Sequence, residues 1–112
     1  MPKTSIIVRD HYEFCHRYAD APQEVLFLRN LHRHIFNYEV ELEVFHDDRE
    51  LEFIMVKNRL REFIDEVDWP NTASCEQMAT DIGKYLRDMY GFDRALSVSV
   101  FEDNENGAKV VF

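Results

Sequence analysis

The stretch Asn30 to Val44, NLHRHIFNYEVELEV, decides how the chain folds. From Tyr38 to Val44 the apolar residues Tyr38, Val40, Leu42 and Val44 alternate with Glu39, Glu41 and Glu43, the period of two that marks a half-buried strand. One face of this strand belongs to the core; the other is acidic, and either solvated or turned toward the inside of a barrel. Just upstream, His32 and His34 share the parity of the apolar residues. They read either as a metal site at the strand entrance or as two polar residues at a strand end.

On the N-terminal side, Ser5 to Tyr18 is richer in β-branched and aromatic residues than in helix formers, which predicts the antiparallel partner strand. The connection from Ala19 to Leu31 is long for a hairpin, and long loops in small domains are often functional. On the C-terminal side the period changes after HDDRE. Phe53, Val56, Leu60, Phe63, Ile64 and Val67 recur at three and four residues, which predicts an amphipathic helix over Phe53 to Val67. Pro70 breaks the pattern, since it lacks a donor and disfavours helix at Trp69. A second helix, capped by Ser74 or Thr72, carries Met78, Ile82, Leu86 and Met89 and stops at Gly91. Leu96 to Phe101 alternates again, NENG makes a turn, and Ala108 to Phe112 is the last strand. The order ββααββ predicts an α+β domain in which two helices cover one face of a four-stranded antiparallel sheet.

The 112 residues suffice for one domain, 1–112, with 46% hydrophobic and 31% charged residues and no linker or repeat. A net charge of −9 argues against a nucleic-acid partner, because such binding needs Lys and Arg to neutralise phosphates. The N-terminal MPKTSIIVRD has an apolar run of only three residues before Arg9 and Asp10, which is neither a signal-peptide core nor a membrane span. A cytoplasmic protein with no membrane partner is expected. Cys15 and Cys75 form no spacing motif and are expected to be thiols that act as small buried hydrophobes.

Two imidazoles on one strand face can bind a metal together, and a third ligand would make the reading specific. His16 is the candidate, since antiparallel pairing of the first two strands brings its segment beside the His32 and His34 pair. Three histidines with an open fourth position are the arrangement of catalytic zinc. His11 and His46 are less well placed and read as solvated.

Five segments, in order and over nearly the whole chain, resemble one known family. YEFCHRY is similar to its F-x-A-A-H-R-L segment, and LHRHIFNYEVELEV to L-H-G-H-N-Y with its alternating strand. LEFIMVKNRL is similar to the segment around D-F-x-x-L-K, ASCEQMATDIGKYL to P-T-A-E-N-L-A, and VSVFEDNENGAKVVF to the terminal V-x-V-x-E-T strand pair. The family is that of the 6-pyruvoyl-tetrahydropterin and 6-carboxytetrahydropterin synthases. The resemblance implies the tunnelling fold, whose ββααββ subunits join their sheets into a barrel as homo-oligomers, trimers or hexamers. It implies zinc on His16, His32 and His34, lyase-type chemistry on a pterin- or purine-like small molecule, and Glu102 as the carboxylate that anchors the substrate ring through paired N–H donors.

The match departs from the family at its proton-transfer residues. The cysteine four residues before the first histidine of H-G-H is Leu28 here, which cannot carry a proton. The Asp-His pair between the helices is reduced to Asp68 followed by Trp69. The glycine between the histidines is Arg33, adding bulk and charge beside the expected metal. Asp68 or Glu24 is left to move protons. The chain therefore reads as a divergent zinc-dependent enzyme of this family or, alternatively, as a binding or assembly module that kept the pocket and lost catalysis.

Overall fold

The computed structural model describes residues 2–112. Its elements run β1 (Thr4–His16), a 3₁₀ segment (Gln23–Arg29), β2 (His32–Val44), α1 (Phe53–Glu66), α2 (Cys75–Tyr90), β3 (Leu96–Glu102) and β4 (Gly107–Val111). The four strands form one antiparallel sheet in the order β1-β2-β3-β4. The expected α+β architecture of two helices against one antiparallel sheet is observed.

The period of two on β2 becomes the core. Phe36, Tyr38, Val40, Leu42 and Val44 are buried, and the same face of β3 contributes Leu96, Val98 and Val100. The helix stripes lie against them through Val56 and Leu60 of α1 and Met78, Ile82 and Leu86 of α2. Ser74 caps α2 with a capping box: its hydroxyl accepts from Gln77 N–H, and the Gln77 side chain accepts from Ser74 N–H. Gly91 ends the helix at φ 104°, a conformation that favours glycine.

Three boundaries differ from the sequence reading in ways that matter for the site. First, β2 begins at His32, so the two histidines are the first and third residues of the strand, at its entrance, and the strand starts well before the alternation from Tyr38. Second, β3 pairs with β2 only from Leu42 to Phe36, whereas β1 continues alongside β2 to the pair His16 and His32. A two-stranded ribbon thus projects past the end of β3. Third, the β3–β4 turn runs from Asp103 to Asn106, one residue earlier than NENG, and bends at Asp103 and Asn104. Both have positive φ (51° and 57°), and Glu105 N–H donates to the Glu102 carbonyl at 2.9 Å. Asp and Asn tolerate the left-handed region better than other non-glycine residues, and the twist of such turns suits a hairpin.

Glu39, Glu41 and Glu43 occupy the sheet face away from the helices, partly buried. Glu39 pairs with Arg9 at 2.7 Å, and Glu43 accepts from Ala95 N–H at 3.0 Å. Among the described residues, no helix is long and apolar enough to cross a membrane.

Candidate metal centre

Antiparallel pairing sets His16 directly opposite His32, and the strand period places His34 on the same face two residues on. Each of the three offers a ring nitrogen, and these nitrogens lie within 4.8 Å of one another. The ring centroids are 4.6, 5.0 and 5.5 Å apart. His16 is buried, and His32 and His34 are partly so. Beneath them Phe36, fully buried, sets its ring edge-on to His16 at 5.1 Å and to His34 at 5.9 Å. An apolar floor of this kind fixes the rings and lowers the local dielectric.

Every one of the three rings is oriented by its other nitrogen. His16 Nδ1 lies 2.9 Å from the Ala73 carbonyl, His32 Nδ1 2.8 Å from the Asn30 carbonyl and His34 Nδ1 2.7 Å from Asp103 Oδ2. A carbonyl or carboxylate can only accept, so each Nδ1 carries a hydrogen, which leaves the Nε2 of each ring for a further partner. Fixing the tautomer this way is how proteins prepare histidines as metal ligands. Asp103 is held in turn by Ile35 N–H at 3.0 Å. The hydrogen bond from His34, and after it that from Ile35, lowers the Asp103 pKa below its ordinary value.

Glu102, the last residue of β3, reaches the same point. Its Oε1 is 3.2 Å from His16 Nε2 and its Oε2 3.3 Å from His34 Nε2. It borders a cavity of about 550 Å³ whose wall also includes His16, His32, Leu28, Ser74 and Cys75. The four residues His16, His32, His34 and Glu102, picked out in the sequence, therefore meet at one place.

Other sequence expectations fall elsewhere. Asp68 and Glu24 are exposed and contribute nothing to the cavity wall. Arg33 points to the opposite sheet face, where it pairs with Glu13 at 3.0 Å, so its charge is not beside the histidines. Cys15 is exposed and not a buried hydrophobe, because its parity in β1 is opposite to that of His16. Cys75 is buried as expected, but in the cavity wall. Burial, helped by the charges of Glu102 and Glu76, pushes its thiol up to about 12, which keeps it protonated and unreactive.

Three members of the site, Asp103 and the carbonyls of Ala73 and Asn30, escaped the sequence reading. Asp103 was signalled only by the Asp-Asn pair in a turn. The Ala73 carbonyl had no signal, since the chain between the helices reaches the sheet only through tertiary contacts, such as Arg17 N–H to the Asn71 carbonyl at 2.7 Å. No protein-family model matches the chain, and no curated protein matches it.

Proposed function

We propose that this chain is a zinc protein that binds a pterin- or purine-like small molecule beside the metal and acts on it with lyase-type chemistry, as a divergent relative of the 6-pyruvoyl-tetrahydropterin synthases. One observation carries the reading: three histidines converge, and every Nδ1 is committed to an acceptor, leaving three Nε2 lone pairs for one cation. Such a nitrogen-only set suits zinc better than calcium or magnesium, which prefer oxygen. When bound, zinc would polarise a carbonyl or hydroxyl of the substrate.

The protein's own residues supply position and shape. His16, His32 and His34 would hold the metal, with His16 and His32 in the cavity wall and the buried Phe36 ring edge-on to His16. Glu102 faces the cavity and suits a ring edge that presents two N–H donors. A homo-oligomer, trimer or hexamer, belongs to the same proposal. In its support, the chain has a radius of gyration of 15.3 Å, against about 13 Å for a compact domain of this length. Both β1 and β4 also present unpaired edges, which proteins usually cover.

A second reading, binding without turnover, is favoured by Leu28. It stands in the cavity wall where the family resembled has its cysteine, and it offers no proton. Elemental analysis of untagged protein, wild type and His32→Ala with His34→Ala, tests the common ground of both readings. About one zinc per wild-type chain, lost in the double variant, is expected from a three-histidine centre. No metal in the wild type, even after incubation with zinc, would reject it. Turnover of pterin substrates by the zinc-loaded protein then separates enzyme from binding module.

A further inference from the structure

Glu102 does more in this geometry than wait for a ring. Its carboxylate oxygens approach His16 Nε2 at 3.2 Å and His34 Nε2 at 3.3 Å. Both Nδ1 atoms are already hydrogen donors to Ala73 and Asp103. In the neutral rings, carboxylate lone pairs would therefore face imidazole lone pairs, an arrangement that is repulsive unless a cation lies between them. One divalent ion answers all the lone pairs together.

The distances suit that ion. With metal–nitrogen and metal–oxygen bonds of about 2.1 Å, neighbouring ligand atoms on a tetrahedron stand about 3.4 Å apart. The two observed separations, one from each carboxylate oxygen, are close to this edge, so the carboxylate lies within reach of the fourth position. Glu102 also differs from the other three. Each histidine is pinned by its second nitrogen, whereas among the described residues the Glu102 carboxylate has no partner except the two imidazoles. Its side chain is 35% exposed and borders the cavity.

We propose that Glu102 is the fourth ligand of the centre and its exchangeable one: it closes the shell at rest and yields its place to a donor atom of a molecule entering the cavity. The inference rests on the metal reading above and adds to it a resting state with four protein ligands. No bond within the protein is made or broken; one metal–oxygen bond is exchanged for another. Release of Glu102 would free its two oxygens to accept the N–H edge of the incoming ring, so that a single carboxylate serves both states.

Cobalt(II), which reports its coordination in the visible spectrum, is the probe. Chelator-treated wild type, Glu102→Gln and Glu102→Ala are titrated with it, and circular dichroism checks each fold. The isosteric Gln variant decides if the Ala variant unfolds. Wild type should show the intense absorption of four-coordinate cobalt, and added azide should change that spectrum with saturation. Both variants should bind at least about tenfold more weakly, since loss of a ligand should cost no less than loss of an outer-shell partner. In Glu102→Ala, acetate should restore the wild-type spectrum by filling the position with a free carboxylate. Variants matching wild type in affinity and spectrum would overturn Glu102 as ligand while leaving the three-histidine centre intact. A wild-type spectrum indifferent to azide would overturn its exchangeability. A wild type that binds no cobalt would overturn both this inference and the metal reading.

Discussion

His34 shows how few side chains are needed to define the centre. Its ring stands between Glu102 on the Nε2 side and Asp103 on the Nδ1 side, two carboxylates adjacent in sequence that the hairpin turn directs to different nitrogens. Asp103→Asn keeps a residue that tolerates positive φ, but it leaves one acceptor oxygen for the two N–H groups of His34 and Ile35 and removes the negative charge. Zinc affinity should fall by about tenfold, at the lower end of the range for outer-shell partners, with the fold unchanged. Competition with a chromogenic chelator measures it, and an unchanged affinity would show that Asp103 does not tune the ligand. At this scale His32 and His34 were legible because the strand period fixes which residues share a face, His16 because antiparallel pairing brings its segment beside them, and Glu102 only through the family resemblance. Asp103 was not, because its role depends on a turn one residue earlier than the NENG segment suggests. The carbonyls of Asn30 and Ala73 were beyond reach, since any residue type can present a backbone oxygen.

The elements place the site at the point where β3 ends and the β1–β2 ribbon continues, so the β3–β4 hairpin must be rigid. Gly107 is where that requirement meets the backbone. A Cβ there would lie 2.0 Å from the Val100 carbonyl oxygen and 2.8 Å from Phe101 Cα, and neither backbone atom can step aside. Gly107→Ala should destabilise the protein by on the order of 2–3 kcal/mol, as overpacking does where the neighbours cannot relax. It should also weaken metal binding, because Glu102 and Asp103 lie in the same hairpin. Gly83→Ala is the contrast: its Cβ would meet the Phe112 ring at 2.0 Å, a side chain that can rotate away. The gain of about 1 kcal/mol from replacing a helical glycine should largely offset that displacement. Urea unfolding of the two variants tests the difference, and equal midpoints would contradict it. The elements themselves were legible from the change of period after Val44, while their ends were not. β2 extends to His32 because β1 offers backbone partners that far, a tertiary fact that side-chain alternation from Tyr38 onward does not contain.

Across the whole molecule, stability against pH is set by groups whose ionisation folding alters in opposite directions. Glu50 ties the chain together: its carboxylate accepts from Phe45 N–H at 2.7 Å and from Arg94 Nη1 at 2.9 Å. Arg94 donates in turn to the Tyr90 and Glu43 carbonyls, joining the C-terminal end of α2 to the end of β2. The Arg94 hydrogen bond, followed by that from Phe45, lowers the Glu50 pKa from 4.5 to about 2. Asp10 is also lowered: burial pushes it up, but the Arg61 and His11 hydrogen bonds outweigh burial. For a carboxylate depressed in the folded state, stability is present above the unfolded pKa and lost as the folded value is approached from above. The acid loss should therefore lie between pH 4.5 and about 2. Tyr12, Tyr38 and Cys75 shift the other way, raised chiefly by burial. Their stabilisation is complete below the unfolded pKa and is lost as pH rises, for Cys75 between 9.0 and about 12. Unfolding midpoints in urea, measured on chelator-treated protein so that metal release does not contribute, should form a plateau bounded by these two windows. Glu50→Gln should lower the plateau and flatten the acid limb, because the variant has no carboxylate to protonate there. An acid limb as steep as that of the wild type would show that the Glu50–Arg94 tie contributes no pH-dependent stability.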